Sequence, residues 1–203
     1  MNIAIIGATG NVGSRLVNEA LARGHHVTAI ARHASRLAAR AELDTLDIDL
    51  ADGAKLAEAL RGKDAVVSSV RFATSPLAAV LGPVKQAAVP RLLVVGGAGS
   101  LEVAPGAALV DTPTFPAEYK PEALAGRDWL NALRAEKGLD WTFLSPSALF
   151  VPGERTGTFR LGGDTLLTAA DGRSWISMED FAIAMLDEVE KPAHTGRRFT
   201  VGY

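Results

Sequence analysis

The sequence has 203 residues, of which 48% are apolar, and a formal net charge of −2. This length suits one globular domain with a sizeable core, and the balanced charge excludes the basic surface typical of nucleic-acid-binding proteins. The sequence contains no cysteine, so it excludes disulfide bonds, thiolate metal sites and a cysteine nucleophile.

The first half of the chain alternates strand-like apolar segments with helical ones. An apolar run over residues 2–7 ends in glycine, and Asn11 is suited to capping a helix that ends at Gly24. The run is too short for a signal peptide, and no apolar run reaches membrane-spanning length, so we expect a cytoplasmic protein without a membrane segment. The following segments alternate between strand and helix, beginning and ending with a strand: residues 27–31, 35–40, 45–50, 54–60, 65–70, 77–88 and 91–95.

The second half is less regular. Residues 102–119 contain several prolines and predict a long surface loop. After Pro146 the pattern weakens until a last helix, for which Ser177 is the predicted N-cap and Asp180 the N3 carboxylate. The remaining predicted elements are a helix, a strand and a final strand: residues 121–137, 141–144 and 198–201.

This alternation predicts the fold class. Strands and helices at such spacing form right-handed βαβ units, which give a parallel sheet covered on both faces. We therefore expect an α/β fold with a doubly wound, mainly parallel Rossmann-type sheet. Residues 1–203 are expected to form one domain, in which the segment after Ser145 is a small C-terminal cap.

A glycine-rich sequence lies between the first predicted strand and the first predicted helix. We expect Gly7 to allow a tight bend, Gly10 to let the backbone approach a pyrophosphate, and Gly13 to let the helix pack closely. Exposed amides at the positive end of the helix dipole would hold the phosphates. The predicted dinucleotide site in this turn comprises Gly7, Thr9, Gly10, Asn11, Val12 and Gly13. The alternative is an ordinary glycine-rich loop that binds nothing.

The end of the second strand bears on the choice of cofactor. An acidic residue there would bind the ribose hydroxyls of NAD, but this chain has Arg32 at that position and Arg36 four residues later. A guanidinium can pair with a 2′-phosphate through two hydrogen bonds, so we predict NADP(H) over NAD(H). Alternatively, both arginines are solvated surface charges. Asp49 and Leu50 are placed to border the adenine ring, or simply to begin a helix.

The end of the fourth strand is expected to line the cofactor cleft. Ligands bind outside the carboxyl ends of strands in open α/β sheets, which here concerns Ser68, Ser69, Val70 and Arg71. The four histidines show no spacing typical of metal ligands, so no metal site is predicted.

Two stretches resemble the atypical short-chain dehydrogenases/reductases. The similarity is greatest to their NAD(P)H-binding group, which includes NADH-flavin reductase-like, biliverdin reductase B-like and NmrA-like proteins. It rests on Gly7-Ala8-Thr9-Gly10 with Arg32, and on Val94-Val95-Gly96-Gly97-Ala98-Gly99-Ser100-Leu101. Residues 175–182 resemble the helix start that follows the small cap of these proteins. The main short-chain dehydrogenases use a Tyr-x-x-x-Lys pair, whereas here Tyr119 is followed four residues later by Ala123.

The missing pair argues against alcohol or sugar oxidation. Ser100, after the fifth strand, is a candidate contact to substrate or nicotinamide, and Lys120 a candidate donor to a substrate oxygen. The alternatives are a serine that merely ends a strand and an exposed lysine before a helix. The resemblance implies an NAD(P)H-dependent reductase of a flavin or another small flat acceptor, acting as a monomer or small homo-oligomer. The competing hypotheses are a non-catalytic NADP(H)-binding regulator and a sugar epimerase-like enzyme.

Overall fold

An eight-stranded sheet forms the centre of the computed structural model, which describes residues 1–203. The strands of the protein are β1 (Asn2–Ile6), β2 (His26–Ala31), β3 (Leu43–Asp47), β4 (Ala65–Ser68), β5 (Arg91–Val95), β6 (Glu102–Ala104), β7 (Ala107–Ala108), β8 (Asp140–Pro146), β9 (Leu149–Val151), β10 (Arg160–Gly162), β11 (Trp175–Ser177) and β12 (Arg197–Gly202). The helices are α1 (Asn11–Ala22), α2 (Gly53–Leu60), α3 (Ala78–Gln86), α4 (Lys120–Ala135) and α5 (Met178–Glu190).

The strand order confirms the predicted doubly wound sheet. Across the sheet the order is β10-β12-β8-β5-β4-β1-β2-β3, and every neighbouring pair is parallel except β10 with β12. The chain winds outward in one direction from β1 and in the other from β4, so the order reverses between these two adjacent strands. The crevice at such a reversal is where Rossmann-type proteins bind ligands.

Helices cover both faces of the sheet. On one face α1 and α5 pack against each other over a core that includes Leu16 and Phe181, and on the other α2, α3 and α4 cover a core that includes Leu56 and Trp129. None of these helices is both long and apolar enough to cross a membrane.

Several predicted elements differ locally from the structure. The segment expected to be a long loop contains the β6–β7 hairpin and two 3-10 turns, Leu109–Asp111 and Ala117–Tyr119. The predicted helix over residues 35–40 is a single 3-10 turn, Ala34–Arg36. Helix α3 is slightly shorter than the predicted helix over residues 77–88, and it continues through Pro83.

The two predicted helix caps had different outcomes. Gly10, not Asn11, is the N-cap of α1, and no side chain caps this helix. By contrast, Ser177 caps α5 as predicted, because its Oγ accepts a hydrogen bond from the Asp180 amide at 3.0 Å.

The C-terminal segment is divided between a cap and the main sheet. Strands β9 and β11 form a separate parallel pair next to the carboxyl edge, which agrees with the expected small cap. Strands β10 and β12 instead extend the central sheet, with β12 pairing with β8 over Arg197–Val201. Thr200 and Val201 of this last strand pair with Ser145 and Pro146 at the carboxyl end of β8.

Candidate cofactor site and adjoining cleft

The three glycines of the first turn meet different steric demands. Gly7 has φ of +83°, and a Cβ there would lie 2.2 Å from the carbonyl oxygen of Ser69. A Cβ on Gly13 would lie 2.1 Å from the carbonyl oxygen of Gly7. A Cβ on Gly10 would meet only that same oxygen, at 3.3 Å. Gly7 and Gly13 are thus required by the packing of the protein itself, whereas the surface in front of Gly10 is open.

The turn presents unused hydrogen-bond donors. The Gly7 amide donates to Ile30 O at 2.8 Å and the Gly10 amide to Gly7 O at 3.0 Å, which fixes the bend against β2. The amides of Thr9, Asn11, Val12 and Gly13 donate to no other group of the protein. Free amides at the positive end of a helix form an anion-binding site. With the open face of Gly10, this arrangement fits the pyrophosphate of a dinucleotide.

The arginines after β2 have no anionic partner within the protein. Arg32 and Arg36 are exposed and take part in no ion pair or side-chain hydrogen bond. The nearby carboxylate of Asp47 is already engaged, since it accepts from the Ser35 amide at 2.8 Å and from Ser35 Oγ at 2.7 Å. Both hydrogen bonds lower the pKa of Asp47, and the one from the Ser35 backbone amide has the larger effect. Both guanidinium groups are therefore available to an external anion.

Asp49 and Leu50 lie beyond β3. The Asp49 carboxylate accepts from the Ala51 amide at 2.9 Å, and Leu50 is half-buried against the core. Neither residue lines the large cleft at the carboxyl edge of the sheet.

A cleft of about 830 Å³ runs outside the carboxyl ends of β1, β4, β5 and β8. The structure brings seven of the predicted site residues together along its wall: Gly10, Asn11, Val12, Ser69, Val70, Arg71 and Ser100. The remaining predicted residues do not line it. Gly7, Thr9 and Gly13 lie in the glycine-rich turn and the start of α1, and Arg32, Arg36, Asp49 and Leu50 follow β2 and β3. Ser68 ends β4, and Lys120 begins α4.

Two of these residues, Ser68 and Lys120, have side chains that lie apart from both the cleft and the glycine-rich turn. Ser68 is 1% exposed and pairs with Ile6 and Val94 inside the sheet, so its side chain belongs to the interior. Lys120 begins α4 with its side chain in solvent, while its neighbours Tyr119 and Glu122 line the cleft. Neither side chain is therefore placed to contact a ligand in the cleft.

Glu122 holds the segment that follows β4. Its Oε1 accepts from the Phe72 amide at 2.7 Å and its Oε2 from the Ala73 amide at 3.0 Å. This links α4 to the loop that carries Ser69, Val70 and Arg71. No local sequence pattern pointed to Glu122, because its partner Ala73 lies 49 positions earlier in the chain.

The far part of the cleft is lined by segments that do not belong to the βαβ alternation. Leu109, Phe115 and Tyr119 come from the segment between β6 and α4, and Leu149 and Phe150 come from the cap. Tyr119 and Leu149 are exposed by 63% and 54%, although both residues have large hydrophobic side chains. A concave wall of this composition suits a flat apolar ligand.

Ser100 has a partner that sequence reasoning missed. Its Oγ accepts a hydrogen bond from Arg198 Nη1 at 3.0 Å. Arg198 lies in β12 and is 6% exposed, and its Nε donates to Asp164 Oδ1 at 2.7 Å. Burial lowers the pKa of the Arg198 guanidinium and Asp164 opposes that effect. Ser100 and Arg198 are 98 positions apart in the sequence, so no local pattern predicts this contact.

No group of three or more histidine, aspartate or glutamate side chains is placed to hold a metal ion.

Comparisons with known proteins agree with this geometry. The family model of NAD(P)H-binding proteins matches residues 7–192, which is most of the chain. This chain belongs to the NAD(P)H-binding family. YwnB of Bacillus subtilis strain 168 is 43% identical to it, over 99% of this chain and 98% of YwnB.

Solved structures of related proteins share the whole architecture. A "putative epimerase" from Bacteroides thetaiotaomicron is 43% identical, with a TM-score of 0.94 over 100% of this chain and 96% of that one. A "putative NADH-flavin reductase" from Streptococcus pneumoniae TIGR4 is 37% identical, with a TM-score of 0.87 over 100% and 99% of the two chains. A short-chain dehydrogenase/reductase from Veillonella parvula has 18% identity and a TM-score of 0.81 over 100% and 94%, which shows the shared fold alone. The family therefore fits the predicted atypical short-chain dehydrogenases/reductases.

Proposed function

We propose that this protein is an NAD(P)H-dependent reductase that transfers hydride to a flavin or another small flat acceptor. The observation that carries the proposal is the continuity of the cleft. One part is formed by Gly10, Asn11 and Val12, next to the free amides, and the other by aromatic and aliphatic side chains. A dinucleotide whose pyrophosphate lies at the turn would extend its nicotinamide along the strand ends toward this apolar wall. A second flat molecule would then lie against the nicotinamide.

The lack of a Tyr-x-x-x-Lys pair supports hydride transfer to such an acceptor. Tyr119 lines the cleft, but the residue four positions later is Ala123, and Lys120 lies outside the cleft. Transfer of hydride between two stacked rings requires close positioning and exclusion of water more than it requires an acid–base pair. The Streptococcus pneumoniae relative carries a name of this class, whereas the name of the Bacteroides relative suggests an epimerase. Sugar epimerisation by this fold would need the acid–base pair that is missing.

We propose NADP(H) as the preferred cofactor. Arg32 and Arg36 are exposed and unpaired after β2, and the acidic side chain next to them, Asp47, is engaged by Ser35. A 2′-phosphate would give the two guanidinium groups the anionic partner that the protein does not supply. The cytoplasmic location and the number of subunits stay predictions.

A turnover assay tests the proposed function. Purified protein is mixed with NADPH and a panel of flavins and quinones, and the loss of dihydronicotinamide absorbance is followed for wild type and for Gly10→Val. We expect saturable turnover with at least one acceptor, which Gly10→Val abolishes while remaining folded. Tight binding of NADPH without turnover on any acceptor would contradict the reductase and favour a non-catalytic regulator.

A further inference from the structure

We propose that the ion pair between Arg15 and Glu179 couples the glycine-rich turn to the cap, so that a bound cofactor orders the wall against which the acceptor lies. Both are positioning residues, because neither lines the cleft itself. The inference rests on the proposed function, since it takes the turn as the cofactor site and the cap wall as the acceptor site. It adds that a bound cofactor strengthens the binding of the acceptor.

Arg15 is anchored on a peptide group of the turn. Its Nη1 donates to the Asn11 carbonyl oxygen at 2.7 Å. That carbonyl and the Val12 amide belong to the same peptide group, and the Val12 amide is one of the free donors of the turn. A charged donor on the carbonyl polarises the peptide group and makes its N–H a stronger donor. The Arg15 contact and an anion bound at Val12 therefore strengthen each other.

Glu179 carries this link to the cap. It lies in the first turn of α5, where its Oε1 accepts from Arg15 Nε at 2.5 Å and its Oε2 from the Gly153 amide at 2.7 Å. Burial alone would raise the pKa of this carboxyl, but the Gly153 amide and Arg15 outweigh burial and hold the pKa below its usual value. Both side chains of the ion pair are partly buried, so solvent screens the pair less than a fully exposed one.

Gly153 fixes the end of a strand that lines the cleft. It follows β9 by two residues, and β9 contributes Leu149 and Phe150 to the apolar wall. Phe150 also packs on Phe181 of α5, with ring centroids 4.7 Å apart. Three hydrogen bonds in series therefore join the peptide group of the turn to this wall: to the Asn11 oxygen, between the ion pair, and from the Gly153 amide.

A second ion pair joins the same loop to the same helix without touching the turn. Arg155 Nε and Nη2 donate to the Glu19 carboxylate at 2.8 Å and 2.9 Å. Glu19 also accepts from Arg23 at 2.9 Å, so it keeps a cationic partner when Arg155 is removed. Arg155→Ala is therefore a matched control, because it removes an anchor between the cap and α1 and leaves the peptide group of the turn intact.

Hydrogen exchange of the Gly153 amide, followed by NMR with and without NADP⁺, measures the coupling without any acceptor. In wild type we expect saturating NADP⁺ to slow this exchange about 5-fold or more, the usual lower limit of coupling between two sites. Arg15→Met removes the guanidinium, and Glu179→Gln keeps an oxygen for Gly153 but presents no anion to Arg15. In both variants the slowing should fall below about twofold, whereas Arg155→Ala should retain it.

Cofactor affinity and acceptor kinetics give two further readouts. Because coupling is reciprocal, the Kd of NADP⁺ should rise about 5-fold in Arg15→Met and stay within about twofold in Arg155→Ala. At saturating NADPH, Arg15→Met should raise the KM of the acceptor about 5-fold and leave kcat within about twofold. The double variant of Arg15→Met with Glu179→Gln should behave like either single variant, because both interrupt one path.

The outcomes are distinct. Undiminished slowing of Gly153 exchange in Arg15→Met, even with a lowered melting temperature, would overturn the coupling role and leave Arg15 a structural one. A wild type that binds NADP⁺ with less than about twofold slowing would overturn the inference and leave the proposed function standing. A wild type that shows the slowing but reduces no acceptor would overturn the proposed function and support the coupling. Loss of the slowing in Arg15→Met and Glu179→Gln, with its retention in Arg155→Ala, is the result we expect.

Discussion

Gly13 in α1 packs directly on Gly7 in the turn before it: a Cβ on Gly13 would lie 2.1 Å from the Gly7 carbonyl oxygen. That oxygen also accepts the Gly10 amide at 3.0 Å, so it is fixed and cannot move away at little cost. The glycine spacing of this turn therefore serves two purposes. Gly13 and Gly7 allow the helix to begin against the strand, and Gly10 leaves room for a ligand.

Gly13→Ala is expected to destabilise the fold. The added methyl group must displace backbone, and overpacking of this kind costs about 1–3 kcal/mol. The free energy of unfolding, measured by denaturant titration, should fall by that amount. Gly163→Ala is the matched control, because a Cβ there meets nothing within 4 Å. Equal stabilities of the two variants would contradict the assigned packing role.

Arg32→Ala is expected to weaken NADPH binding about 10-fold or more and to leave NADH binding unchanged. A hydrogen bond to a charged group contributes about 1.5–3 kcal/mol, which corresponds to at least this factor. Arg40→Ala is the control, since Arg40 is a nearby exposed arginine whose guanidinium donates to Asn18. Dissociation constants for both cofactors decide the matter. If NADPH has no advantage over NADH in wild type, the role of Arg32 is wrong.

Tyr119→Ala is expected to raise the KM of the acceptor roughly 2- to 12-fold, because an aromatic contact contributes about 0.5–1.5 kcal/mol. Tyr119→Phe should behave like wild type, since the hydroxyl has no partner in the protein and is given no part in the reaction. Steady-state kinetics at saturating NADPH measure both. A loss of kcat in Tyr119→Phe with unchanged KM would instead identify this hydroxyl as an acid.

The stability of the protein is expected to fall in acid through Asp180. This buried carboxylate accepts from the Thr156 and Gly157 amides at 2.8 Å and 2.9 Å and from the Tyr203 hydroxyl at 2.6 Å. Burial alone would raise its pKa, but these hydrogen bonds outweigh burial and hold the pKa below its usual value. A lowered folded-state pKa contributes stability above the unfolded pKa of about 3.9, and this stability is lost as the pH falls through the folded value.

Asp180→Asn should therefore be less stable than wild type at pH 7, by about 1–3 kcal/mol for the disturbed buried acceptor. Its free energy of unfolding should also depend less on pH below about 4. The control is Asp128→Asn, because the exposed carboxylate of Asp128 makes no hydrogen bond or ion pair. Superimposable pH curves for Asp180→Asn and wild type would refute the assignment.

The sequence allowed prediction of those features that depend on local pattern. The parallel sheet, the turn from Gly7 to Gly13 and the Ser177 cap follow from periodicity and from spacings of a few residues. The Arg198 contact with Ser100 and the Glu122 contact with the β4 loop join residues 98 and 49 positions apart, and such contacts follow only from the folded topology. Ser68 and Lys120 were predicted from their positions along the chain, at the end of a strand and before a helix. Proximity along the chain does not fix the direction of a side chain.

Calorimetric titration of NADPH into wild type, Gly10→Val and Gly163→Val tests most directly whether the cleft beginning at Gly10 binds this cofactor. A Cβ at Gly10 meets only the Gly7 oxygen, at 3.3 Å, a far milder contact than the 2.1 Å at Gly13, so Gly10→Val should fold. Its side chain would nevertheless occupy the space that the pyrophosphate needs. We predict one NADPH per chain for wild type and Gly163→Val, and no detectable binding for a folded Gly10→Val. Binding of equal affinity in all three proteins would show that NADPH does not bind at Gly10.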